Sequence, residues 1–363
     1  METRYRRTIL IFVIIIIIGV IIMVERGVCI PGIGCKIVEV PEKSEVGKAP
    51  DIIGIKHWIN SKPLTIKEFQ GKKVVLIDFW TYTCINCIRT LPYLKEWDEK
   101  YSKKGLQIIG IHTPEFDFEK KIENVEQAVK DFKIKYPVGM DNDYSTWNNY
   151  ENRYWPAKYL IDKRGYIKYF HFGEGNYEET EKKIQELLKE LGENVTNMNL
   201  TKEPETGIRF RITPETYAGY QFALPRGQNL GNKEGYKPDQ IVNYKLPDEI
   251  SSDRIYLDGK WKNNPDTLQN QDESGFVILK FTASSVNIVT DKTSKPVKLE
   301  VFINNKPIMK EQAGSDVRFE KNNSFILIDK ARLYNLVNSK YGTYTLKLTT
   351  SSGEFKFSAF TFG

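Results

Sequence analysis

Val74-Val75-Leu76-Ile77-Asp78-Phe79 runs without a break into Trp80-Thr81-Tyr82-Thr83-Cys84-Ile85-Asn86-Cys87. The first six residues are apolar except Asp78, the composition of a strand covered on both faces. After Cys87, the residues Ile88, Leu91, Leu94, Trp97 and Tyr101 recur every three or four positions. An amphipathic helix therefore starts at the cysteines. Two cysteines on a first helical turn can close a disulfide with little backbone movement. The helix N-terminus favours negative charge and so stabilises a thiolate there. The pattern points to thiol–disulfide exchange, with Cys84 attacking and the more shielded Cys87 resolving the mixed disulfide. The Cys84–Cys87 dithiol is then the whole redox centre, and no further cofactor is expected.

Working outward, Leu106–Ile111 is a second continuous apolar run. Lys158–Ile161 and Tyr166–Phe172 are two more strands, joined by the hairpin signal Asp162-Lys163-Arg164-Gly165. Val125, Ala128, Val129 and Phe132 mark a second helix. Ile184, Leu187, Leu188 and Leu191 mark a third, with Gly192 placed as its C-cap. Strand, helix, strand, helix, strand, strand, helix is the order of an α/β thioredoxin-like fold, here spanning 49–192.

Asp78 interrupts its strand six residues before Cys84. Burial raises a carboxyl pKa, which suits Asp78 to take the proton that Cys87 must lose. Pro156, in Tyr154-Trp155-Pro156-Ala157, stands where such a fold uses a cis proline to offer backbone groups to a substrate, although X-Pro bonds are mostly trans. Pro92 falls inside the first helix and is expected to kink it. The loop His112-Thr113-Pro114-Glu115 follows a strand parallel to Val74–Phe79, so it reaches the same sheet edge as Cys84. His112 and Glu115 are candidate substrate contacts or thiolate modulators, with ordinary loop polarity as the competing reading. Trp80 and Trp155, next to the cysteine motif and Pro156, complete the candidate substrate-binding set. Zinc is not expected. A C-x-x-C zinc site needs a second ligand pair, and His57, His112 and His171 do not pair at ligand spacing. C-x-x-C-H haem attachment fails because Ile88 follows Cys87.

The net charge of +6 comes from 53 basic and 47 acidic residues, well mixed along the chain. This is not the one-sided basic stripe of a nucleic-acid binder. Thr8 to Val24 reads TILIFVIIIIIGVIIMV, uncharged and preceded by Arg4, Arg6 and Arg7. It predicts a single transmembrane helix in the lipid bilayer, with the N-terminus cytoplasmic and the bulk of the chain extracytoplasmic. A cleaved signal peptide is the alternative, but small-x-small residues are absent around Ile22 to Glu25. Residues 1–30 read as the anchor and 31–48 as a linker. Cys29 and Cys35 flank a short loop just outside the membrane. A structural disulfide and two free thiols both fit that spacing.

Residues 193–212 are polar and read as a second linker. Beyond them helical patterns nearly vanish. Gly275–Thr282, Ser285–Thr290, Val297–Ile303, Tyr344–Thr350 and Phe355–Phe362 are short β-rich runs, with turns at Asn304-Asn305-Lys306 and Ser351-Ser352-Gly353. They predict an all-β sandwich of jelly-roll type over 213–363. Trp261 and Tyr256 are candidate platforms for a glycan ring, against a bland reading as core.

The stretches FWTYTCINCIRTLPYL, IIGIHTPEF, YPVGMDNDYSTWNNYENRYWPAKYLID and GYIKYFHFGEGNYEETE closely resemble the thioredoxin-like domain of DipZ-type proteins, relatives of the TlpA and cytochrome c biogenesis oxidoreductases. The resemblance implies an exported oxidoreductase that reduces or exchanges disulfides of exported proteins. It matches Cys84 and Cys87 to the redox pair, Asp78 to the buried acid and Pro156 to the cis proline. Thr213-Pro214-Glu215-Thr216-Tyr217 resembles the entry to the carbohydrate-binding-module-like β domain of those proteins. They usually carry a polytopic electron-conducting region, where this sequence has one span. Electrons would then come from a separate membrane donor of the CcdA/DsbD type. Two other functions compete. One is a peroxiredoxin-type thiol peroxidase, since Thr81 lies three residues before Cys84. The other is a surface glycan-binding or adhesion protein.

Overall fold

The computed structural model describes residues 46–202 and 210–363. The apolar run Thr8 to Val24 and the pair Cys29 and Cys35 lie outside the described residues. Among the described residues no helix is long and apolar enough to cross a membrane.

Val46–Gly363 forms one compact unit. Its first part is a seven-stranded mixed sheet. In chain order the strands are β1 (Val46–Lys48), β2 (Trp58–Ile59), β3 (Val74–Trp80), β4 (Leu106–His112), β5 (Val138–Met140), β6 (Ala157–Ile161) and β7 (Tyr166–Phe172). They lie side by side as β1-β7-β6-β3-β4-β5-β2. Every residue of β3 is buried, because the sheet is covered on both faces. β3 runs parallel to β4 and antiparallel to β6. The β6–β7 turn forms because Asp162 accepts hydrogen bonds from the Arg164 and Tyr166 backbone N–H groups, both at 2.9 Å. Gly165 closes it at φ +88°, where a side chain would be strained. β1, β2 and β5 were not expected. They are two or three residues long, too short for alternation to register. β1 takes the last residues of the expected linker into a pairing with β7.

The helices are α1 (Ile85–Tyr101), α2 (Ile122–Asp131), α3 (Ser145–Asn149) and α4 (Tyr177–Leu191). α1 contains Pro92 and buries Cys87, Leu91, Leu94, Trp97 and Tyr101. Full burial of a side chain such as Leu94 contributes about 1.5–3 kcal/mol. α4 packs Ile184, Leu187 and Leu188 on the same face of the sheet and ends at Gly192, φ +102°.

The second part is strand-rich, with one short helical segment at Tyr220–Ala223. Its strands are β8 (Thr216–Tyr217), β9 (Ile241–Tyr244), β10 (Ile255–Asn263), β11 (Leu268–Asn270), β12 (Gly275–Thr290), β13 (Val297–Ile303), β14 (Lys306–Pro307), β15 (Arg318–Glu320), β16 (Asn323–Ile328), β17 (Arg332–Thr350) and β18 (Lys356–Phe362). Instead of two separate sheets, one hydrogen-bonded network of eleven strands links them all. The runs Gly275–Thr282 and Ser285–Thr290, expected as two strands, are one strand of 16 residues. Register shifts at Ala283/Ser285 and Val286/Asn287 let β12 bend while it stays paired to β17. The first half of β12 then pairs with β10 and the second half with β18, while β11 joins β10 to β18. The β13–β14 hairpin turns at Asn304 and Asn305, both at positive φ, as the two-residue turn demands.

Trp261 and Tyr256 belong to this core and cannot serve as sugar platforms. Trp261 is fully buried between Phe355 and Phe357, and its indole N–H donates to the Asp258 carbonyl at 2.9 Å. Tyr256 is buried as well, its hydroxyl accepting from Ser251 N. Alternation along β10 puts Trp261 on one face with Ile255 and Leu257, turned into the core of the β part, while Tyr256, five residues away, points to the other face and is covered there at Gly231.

The two parts share a core. Tyr217, Ala223, Val289, Ala331 and Ala359 of the β part join the same buried cluster as Cys87, Leu91 and Phe116. Phe222 packs edge-on against Phe116, and Lys330 pairs with Asp131 at 3.1 Å.

Candidate active site

Cys84 is the N-cap of α1, half-buried, with its sulfur accepting the Cys87 backbone N–H at 3.2 Å. This is how an exposed helix start holds a sulfur: an orphan amide of the first turn points at it. Cys87 lies one turn in and is buried. Burial in the apolar core, followed by the nearby Cys84, pushes the Cys87 thiol well above its ordinary range. A resolving thiol in that state needs a base.

Asp78 supplies one. It faces the α1 side of β3, fully buried among Leu76, Trp80 and Cys87. Burial lifts its carboxyl from 3.8 to about 7, against the opposing pull of Lys158. Lys158 stands directly opposite Asp78 across the β3–β6 pair and is itself fully buried. Its ammonium donates to the Gly173 carbonyl at 3.4 Å and lies 5.7 Å from the Tyr177 ring centre. Burial pulls the Lys158 pKa down, while Asp78 and Cys87 hold it up. Asp78, Lys158 and Cys87 thus form a buried group of ionisable side chains beneath the half-buried Cys84, with one Asp78 oxygen left without a partner. The reasoning from sequence missed Lys158. The available signal was a lone charge in an apolar strand, two residues after Pro156.

The Trp155–Pro156 peptide is cis. Trp155 is half-buried and its indole N–H donates to the Thr113 carbonyl at 3.1 Å, tying the proline loop to the loop after β4. Trp80 lies in the core with no exposure, beside His112 with ring centres 5.3 Å apart. It cannot touch a substrate, because its place on β3 points it under the helices. His112 is also sealed in. Burial lowers its pKa to about 3, so it stays neutral. It stacks on Tyr82 and lies 3.4 Å from the Thr81 hydroxyl. Its role is to pack the strand that leads to the cysteines.

Glu115 turns away from the thiols to the seam between the two parts. Tyr217 lies 2.9 Å from Glu115 and 3.0 Å from Glu215. One phenolic proton cannot serve two carboxylates. Burial and then the neighbouring Glu215 push Glu115 up, and burial pushes Glu215 up as well, so the pair favours holding a proton of its own, which supplies the missing hydrogen. Glu119 is a second residue the sequence did not reveal. Fully buried, it accepts from Thr83 at 2.6 Å and from the Glu115 and Phe116 backbone N–H groups. It clamps the cysteine loop to the loop after β4. Among the described residues no group of acidic, histidine and cysteine side chains could hold a metal.

Comparison with known proteins agrees with this geometry. Residues 46–188 match the Redoxin family and residues 213–363 the family described as "Thioredoxin like C-terminal domain". The chain is 32% identical over 151 residues to the thiol-disulfide oxidoreductase ResA of Bacillus thuringiensis subsp. konkukian, covering 80% of that protein and 41% of this chain. The chain belongs to the thiol-disulfide oxidoreductase family. Its first part is of the thioredoxin-like kind, and a strand-rich second part follows. It is also 38% identical over 252 residues to protein DipZ of Mycobacterium tuberculosis, which covers 68% of this chain. The match spans only 35% of DipZ, about a third of that relative's length. A thioredoxin-like protein solved in its oxidized form aligns with 39% of this chain and 95% of its own at 28% identity, with a TM-score of 0.37.

Proposed function

We propose that this oxidoreductase reduces or exchanges disulfides of exported proteins, anchored in the cell membrane by the run Thr8 to Val24. The observation that carries the redox chemistry is the buried Asp78–Lys158–Cys87 group beneath Cys84. Cys84 Sγ attacks one sulfur of the client disulfide, and the other client sulfur leaves as a thiolate. Asp78 takes the Cys87 proton, and Cys87 Sγ then attacks Cys84 Sγ. The second client thiol leaves, the client has gained two electrons, and Cys84–Cys87 is a disulfide. A membrane donor of the CcdA/DsbD type would return those electrons. Location outside the cytoplasm rests on the N-terminal charge pattern, and client class on the likeness to the relatives.

The peroxidase alternative gains no support, since Thr81 is buried with its hydroxyl toward His112. A Cys87→Ser variant in native membranes tests the reading. Mixed disulfides through Cys84 should accumulate on exported proteins, seen by non-reducing gels and mass spectrometry. A trap that stays empty while the wild-type pair cycles normally would refute protein clients.

A further inference from the structure

A cleft of about 990 Å³ opens between the two parts of the compact unit, and its thioredoxin-side wall is built from the start of the redox helix together with α2. Tyr82, Ile85, Ile88 and Arg89 line that wall, so the cleft begins at the residues flanking Cys84 in the chain. The opposite wall comes from the β part, including Lys292, Ser315 and Leu333. The walls are held at a set distance. Lys330 pairs with Asp131 across the cleft at 3.1 Å, and β18 ends so close to α1 that a Cβ on Gly363 would collide with the Arg89 guanidinium. The cleft is therefore built in, at the upper end of the size of ligand sites.

Its charge pattern selects the occupant. Glu123 lines the thioredoxin side and Lys292 the β side, and neither side chain has an ion-pair partner among the described residues. Arg89 has only a loose pairing with Glu174, at 3.5 Å. Apolar surface from Ile85, Ile88 and Leu333 lies between these charges. A neutral glycan would leave charges of both signs unanswered. An extended polypeptide can present both signs and apolar side chains together. We infer that the β part forms the second wall of the client site, and that this cleft takes a polypeptide segment of the client next to its disulfide. The inference rests on the proposed reduction of protein disulfides and adds what the second part is for.

The test uses the full chain in detergent micelles with two disulfide substrates, insulin and cystamine. Ser315→Trp fills the cleft from the β wall, and Lys292→Glu reverses its charge. Both positions are exposed and distant from the thiol chemistry in role. The expected result is a fall of about tenfold in kcat/KM for insulin, carried by KM, with cystamine turnover within about twofold of wild type. Retained cystamine turnover also shows that each variant is folded. Unchanged insulin kinetics in both variants would overturn the cleft assignment, as would equal losses on both substrates. Competition by a neutral oligosaccharide against insulin would overturn it in favour of a glycan. If the wild type reduces neither substrate, the oxidoreductase reading itself fails, which is a separate result.

Discussion

Replacing Asp78 by Asn keeps the size of the side chain and removes its ionisation. Asp78 is raised from 3.8 to about 7 by burial. At 1.36 kcal/mol per pKa unit, that difference is on the order of 4 kcal/mol. The sign follows from the direction. A group whose folded pKa lies above its unfolded value binds its proton more tightly in the folded state. Its favourable contribution is therefore complete below pH 3.8 and is lost as pH rises through about 7. Lys158, pulled down from 10.5, gives the opposite slope between its folded value and 10.5. The assay is urea denaturation of reduced full-length protein and of Asp78→Asn between pH 4 and pH 9. The stability of the variant minus that of wild type should grow by about 4 kcal/mol between pH 4 and pH 7, then level off. The same variant should release mixed disulfides about 10²-fold more slowly at pH 7, because Cys87 has lost its base. A stability difference that stays flat across this range, or one of opposite sign, would refute the account of a buried, uncompensated carboxyl.

Two further expectations follow from the same geometry. Lys158→Met removes the charge that opposes burial at Asp78, so the Asp78 pKa rises, and the rate of mixed-disulfide release at pH 7 falls roughly threefold to tenfold as its pH profile moves up. Stopped-flow measurement of that profile checks it, and an unmoved midpoint excludes Lys158 from the acid–base group. Tyr217→Phe leaves Glu115 and Glu215 facing each other with no bridging hydroxyl, at a cost of about 1–3 kcal/mol. Urea denaturation at pH 7 reads this loss directly, and stability equal to wild type would mean that the bridge contributes nothing to the seam.

The strand, the cysteine pair and the helix were legible because each is local. A fully apolar run, a two-residue cysteine spacing and a 3.6-residue period are properties of neighbouring residues. Asp78 stood out for the same reason, as one charge in an apolar run. β1, β2 and β5 were invisible because two or three residues carry no period. The bend in β12 looked like a break because the small residues Ala283-Ser284 separate two β-rich runs, while pairing with β17 keeps the strand continuous.

The sequence by itself determined that a sulfur sits where a buried strand hands over to a helix, with a second sulfur one turn behind. Only the tertiary structure decided what surrounds them. Lys158 faces Asp78 because β6 pairs antiparallel to β3 in one register, a matter of residues 80 apart in the chain. Glu115 left the thiols, and Trp261 left the surface, because the β part covers one loop and folds its own stripe inward. Alternation tells which residues share a face, and the packing of distant elements tells what that face meets.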